Sequence, residues 1–169
     1  MADRRDFFRS LAQPLNRNQA SNAWLVRPPY GVDESTFQSM CPTCESKACV
    51  TYCDEKIIVI GEDGTPTLDF SKNGCTFCDE CANVCDLGVL SLEHEATLER
   101  INAMFRINFE ACVAHQGVIC NACKEPCIDD AILFNGMFNP VIDEDRCTGC
   151  GFCIARCPTQ AIDFRVLAL

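Results

Sequence analysis

Sixteen cysteines in a chain of 169 residues are the side chains most able to do chemistry here, and their spacing says which chemistry. They fall into four groups: Cys41, Cys44, Cys49 and Cys53; Cys75, Cys78, Cys81 and Cys85; Cys112, Cys120, Cys123 and Cys127; Cys147, Cys150, Cys153 and Cys157. The first members stand 34, 37 and 35 residues apart, and every group closes with Cys-x3-Cys. A cubane of iron and sulfide needs four thiolates at the corners of a tetrahedron. A Cys-x2-Cys-x2-Cys loop wraps one face and supplies three of them. The fourth cysteine, three residues on, is turned away and ligates the other cluster of a two-cluster fold. The expected sets are therefore Cys41, Cys44, Cys49 with Cys85; Cys75, Cys78, Cys81 with Cys53; Cys112, Cys120, Cys123 with Cys157; and Cys147, Cys150, Cys153 with Cys127. Up to four [4Fe–4S] clusters, carrying single electrons, follow from that pattern.

The groups differ in regularity. Groups two and four have the ideal spacing, and Pro158 follows Cys157 in the fourth. Group one has four residues between Cys44 and Cys49, and group three has seven between Cys112 and Cys120. Longer loops still deliver a thiolate but leave the cluster more exposed or prone to the [3Fe–4S] form, so the state of those two sites is the open point. Zinc is served by paired Cys-x2-Cys knuckles with a long spacer, and a third cysteine two residues later is wasted on it. Disulfides require export. The start Arg4-Arg5-Asp6-Phe7-Phe8-Arg9 resembles a twin-arginine signal, but the polar stretch from Ser10 to Asn22 is no apolar signal core. No run approaches the ~18–20 apolar residues of a membrane span. The expectation is a soluble, cytoplasmic protein in which dense cysteine means metal. His94 and His115 are expected at the surface, and Phe105, Phe109, Phe134, Phe138 and Phe164 in the core.

The elements that position these thiols must be small. In each repeat two apolar residues follow four and five positions after the last cysteine: Ile57-Ile58, Val89-Leu90, Ala131-Ile132 and Ala161-Ile162. Each repeat reads as a ligand loop, a short helix around the last cysteine and a brief hairpin. Ile57 to Ile60, the turn Gly61-Glu62-Asp63-Gly64 and Pro66 to Phe70 form one hairpin. Leu133-Phe134, Asn135-Gly136 and Phe138 to Ile142 form another. The predicted architecture is α+β: two tandem bicluster-ferredoxin-like modules at residues 38–95 and 105–169, a linker at 96–104, and an irregular N-terminal arm at 1–37 suited to partner docking. Without its cysteines the 48% hydrophobic content drops to roughly 38%, short of the ~45–50% usual in globular domains. The clusters should therefore also hold the fold together.

The formal charge of −10, about −18 with four clusters at −2 each, disfavours nucleic acid. It suits an acidic carrier docking on a basic partner. No Gly-rich phosphate loop or nucleophile–base pair accompanies the cysteines, so the expectation is an electron carrier and no enzyme.

Taken together, the chain resembles the ferredoxin-type protein NapF family of the periplasmic nitrate reductase system. The resemblance rests on the Arg4-Arg5 start, Val26-Arg27-Pro28-Pro29-Tyr30, and Asp33-Glu34-Ser35 with Phe37. It continues through the four cysteine groups, including the long Cys112–Cys120 loop and Cys147-Thr-Gly-Cys-Gly-Phe-Cys ending in Cys157-Pro158. The wider Cys44–Cys49 spacing departs from it. The resemblance implies a cytoplasmic accessory protein that contacts the precursor of the nitrate reductase catalytic subunit and assists its maturation. The alternative is a polyferredoxin subunit relaying electrons within a larger oxidoreductase.

Overall fold

The computed structural model describes residues 25–93 and 100–168. Arg4-Arg5 and His94 lie outside them, as do residues 1–24 of the expected arm and 96–99 of the expected linker. Two stretches of like build follow one another, each with an inner hairpin and an outer pairing that joins its two ends. In the first, β1 (Ile58–Ile60) and β2 (Pro66–Leu68) are antiparallel, with Ile58 opposite Leu68. The β-branched run suits a half-buried strand. Gly64, at φ 77°, closes the turn with its N–H on the carbonyl of Gly61. In the second stretch, β4 (Ile132–Asn135) and β5 (Asn139–Ile142) turn at Gly136, φ 73°. Both hairpins fall where the sequence placed them.

The outer pairings have no local sequence signal. β3 (Ala103–Ile107) pairs antiparallel with β6 (Ile162–Val166), almost 60 residues downstream, with Phe105 opposite Phe164. Among the described residues the first stretch has one bridge of this kind, Gly31 opposite Leu90. Part of the expected linker is thus structural: Ile101 is buried and Ala103 opens β3.

The expected arm also needs correcting. Helix α1 (Glu34–Met40) runs through the boundary at 37/38, its first turn capped by the Asp33 carboxylate accepting the Thr36 N–H. Val26, Tyr30 and Phe37 are buried. Arg27 is 1% exposed. Its guanidinium donates to the Thr65 hydroxyl at 2.6 Å, the Pro66 carbonyl at 2.7 Å and both oxygens of Glu34, and lies 4.8 Å from the centroid of the Phe37 ring. Pro28 and Pro29 remove backbone donors where none is needed, so the expected irregular arm includes a segment wrapped on the core.

The two stretches pack directly on each other. Phe70 meets Phe105 and Phe164 edge-on, at 5.7 and 6.1 Å. Asn102 accepts from the Arg27 N–H and donates to the carbonyls of Leu25 and Leu167. Of the phenylalanines expected in the core, Phe105 is buried, Phe134 and Phe138 are half-buried, and Phe109 and Phe164 are exposed. Phe164 nonetheless stacks on the aromatic group.

Arg27→Met removes a buried cation that donates to Thr65, Pro66 and the partly exposed Glu34, while keeping the bulk. It is expected to lower the stability of the loaded protein by about 2 kcal/mol, read as a drop in the anaerobic urea midpoint. An unchanged midpoint would show that residues 25–37 are not part of the folded unit.

Candidate metal centres

Three short helices carry the third cysteine of groups one, two and four: α2 (Ala48–Thr51) holds Cys49, α3 (Glu80–Asn83) holds Cys81 and α4 (Phe152–Arg156) holds Cys153. The expectation put these helices around the fourth cysteine. They end before it instead; Cys157 is extended (φ −73°, ψ 115°), as a residue preceding proline must be. Group three has successive turns there and no helix. The helices share an entry. Two residues before the helical cysteine the backbone is left-handed, at Lys47 (φ 45°), Asp79 (φ 64°) and Gly151 (φ 85°). The longer Cys44–Cys49 loop therefore reaches the same geometry as the regular loops.

A second repeated feature follows the fourth cysteine. Three positions on, the backbone is left-handed in all four repeats, at Lys56, Gly88, Asp130 and Gln160, and each N–H closes a turn on the cysteine carbonyl. For the three non-glycines this costs roughly 1–2 kcal/mol each. The turn swings the next N–H groups back onto the sulfur: Leu90 donates to Cys85 Sγ at 3.4 Å, Ala131 to Cys127 at 3.3 Å and Ala161 to Cys157 at 3.2 Å. That accounts for the apolar pairs recurring at fixed distance from the last cysteine. The pairs were legible in the sequence; the turn was not, since only one of its four residues is glycine.

The structure brings the thiols together across the groups. Cys41, Cys44 and Cys49 line one cavity with Cys85, and Cys75, Cys78 and Cys81 line another with Cys53. Cys112, Cys120 and Cys123 line a third with Cys157. Each encloses about 340 to 400 Å³ of atom-free space, partly open to solvent. Cys127 lies near Cys147, Cys150 and Cys153, close enough for its charge to raise all three thiols. The apolar pairs change sides with the cysteines: Ile57-Ile58, after group one, wall the cavity of group two, and Val89-Leu90, after group two, wall that of group one. Pro29 and Tyr30 complete the cavity of group two.

Burial dominates the thiol acidities. It pushes Cys49, Cys75 and Cys123 up to about 11 and Cys81 up to about 12, and raises Cys153 further. Cys44 goes the other way, lowered by the Ser46 hydroxyl beside it. Lys47 sets a cation at the group-one loop, its ammonium on the carbonyls of Cys41 and Gly64. His115 takes no part: its Nε2 sits 3.0 Å from the Pro140 carbonyl and its ring lies against Phe109. No described helix is long and apolar enough to cross a membrane.

Comparison with known proteins agrees with this donor set. The 4Fe-4S binding domain matches residues 140–163, spanning group four. The ferredoxin-type protein NapF of Escherichia coli K12 is 36% identical over 148 residues, 85% of each chain. That of Haemophilus influenzae is 30% identical over 167 residues, 94% of this chain and 91% of its own. This chain belongs to the NapF family of ferredoxin-type proteins. The ferredoxin-type protein NapG of Escherichia coli K12 is also similar, 30% identical over 165 residues, 85% of this chain and 71% of its own. Ferredoxin-like modules binding iron–sulfur clusters and serving electron transport are thereby shown for this family member.

Two outcomes follow. Cys53→Ser is expected to disturb the cluster of group two more than that of group one, seen by EPR and iron content; the reverse order would overturn the crossed pairing. Ligation displaces protons from thiols whose folded acidities lie near 11–12, so a lower pH favours the protonated, metal-free form. Iron lost to a chelator under anaerobic conditions should rise steadily from pH 9 to pH 6. Loss independent of pH over that range would show that thiol protonation does not limit release.

Proposed function

We propose that the chain holds four [4Fe–4S] clusters in two tandem bicluster-ferredoxin units. The ligands are the sets Cys41, Cys44, Cys49 and Cys85; Cys53, Cys75, Cys78 and Cys81; Cys112, Cys120, Cys123 and Cys157; and Cys127, Cys147, Cys150 and Cys153. The observation that carries this is the crossing of the fourth cysteine into the other group's cavity, which gives three cavities four soft donors each and suits a polynuclear cluster. Clusters bound there supply one-electron exchange. The chain's own part is to exclude water with the apolar pairs and to donate N–H groups to the sulfurs, which tunes the potential.

The protein works as an electron carrier and is no enzyme. Following its family, it acts in the cytoplasm as an accessory factor that binds the precursor of the periplasmic nitrate reductase catalytic subunit and assists its maturation. The docking role is assigned to residues 1–24, with Arg4-Arg5; residues 25–37 are committed to the fold.

An anaerobic pull-down of the tagged, loaded protein from cells making the catalytic precursor tests this, with iron and sulfide counted on bound and free material. Capture of precursor in preference to mature enzyme is the expected result, with roughly sixteen irons per chain before binding. Recovery of a different redox enzyme and no precursor would replace the maturation role with that of an electron relay in a larger oxidoreductase.

A further inference from the structure

The two stretches touch at a place the cysteine pattern did not foretell. The Cys75 N–H donates to the Cys150 carbonyl at 2.7 Å, joining the loop of group two to the loop of group four. Gly74 makes the approach possible: a Cβ there would lie 2.5 Å from the Phe152 nitrogen and 2.6 Å from the Cys150 carbonyl oxygen. On the other side, a Cβ on Gly151 would lie 2.2 Å from the Phe70 ring. Group four, which the 4Fe-4S binding domain matches, and group two thus meet backbone to backbone.

Within each stretch the succession is equally plain. Helices α2 and α3, which carry Cys49 and Cys81, pack together. In the second stretch Cys157 of group four lines the cavity of group three. The order in space is therefore one, two, four, three, with groups two and four meeting between the halves.

We infer that the Cys75–Cys150 contact is the crossing point for electrons between the two halves, so that the four sites form one path whose ends are groups one and three. This rests on the four-cluster occupancy proposed above. Electron tunnelling falls off exponentially with distance, and these two loops have no intervening layer of side chains. One electron crosses at a time: the cluster on one side is oxidised by one, its neighbour is reduced by one, no bond breaks and no proton moves. A one-electron donor protein supplies the electron at one end and a one-electron acceptor removes it at the other. The irregular loops, Cys44–Cys49 and Cys112–Cys120, then belong to the two ends, and the two regular loops to the middle.

The test compares EPR spectra of the fully reduced, full-length protein, wild type against Gly74→Leu, with iron and labile sulfide counted on both. Gly74 is outside the left-handed region, so the substitution acts through the close contact and not through a forbidden φ. The expected result is magnetic broadening in the wild type that diminishes in Gly74→Leu at equal iron, because groups two and four are forced apart. If Gly74→Leu sheds iron, Gly74→Ala, which forces a smaller opening, carries the comparison. Identical broadening at equal iron would overturn the inference. Wild-type iron well below about sixteen per chain would instead strike the four-cluster occupancy itself, which keeps the two failures apart.

Discussion

Everything in this molecule depends on the exchange of the fourth cysteine between neighbouring groups. Were each group to use its own last thiol, every repeat would be a closed loop with no reason to pack on the next. Because Cys85 lies with group one and Cys53 with group two, the two loops of the first stretch cannot separate without dismantling both cavities. The apolar pairs cross with the cysteines, so the same exchange that assembles thiols also assembles the core. A chain with so few other apolar residues has little else to hold it.

The left-handed turn after the last cysteine makes the exchange possible. Lys56, Gly88, Asp130 and Gln160 adopt it alike. Three of them bear a side chain that resists this conformation, and the strain persists because the turn aims an N–H at the sulfur and sends the chain into the neighbouring cavity. At Cys75 the Phe77 N–H on the sulfur favours the thiolate, against the burial that raises the thiol. The opposition is resolved when the thiol gives its proton up to a metal. The site is built for an occupied state.

Two features outside the cysteine pattern turn a pair of small modules into one body. Residues 25–37 wrap the first stretch through the buried Arg27, and Asn102 ties that segment to the end of β6. The aromatic contact of Phe70 with Phe105 and Phe164 closes the seam, and Gly74 lets the backbones touch there. The Val26-Arg27-Pro28-Pro29-Tyr30 segment, which looked suited to docking a partner, walls a cavity and covers the core instead.

The sequence by itself determined the chemistry and its periodicity. Cysteine spacing, the apolar pairs at constant offset, the two glycine-turned hairpins and the three crossed thiol groupings that line cavities were legible, because each depends on neighbours a few residues apart or on a known ligand geometry. The tertiary structure alone decided the pairing of β3 with β6, the placing of helices on the third cysteine, the commitment of residues 25–37 to the fold, and the meeting of group two with group four. Those depend on contacts between residues tens of positions apart, such as Cys75 with Cys150 and Arg27 with Thr65. No local pattern marks such contacts, because what selects them is the close fit of two already folded surfaces.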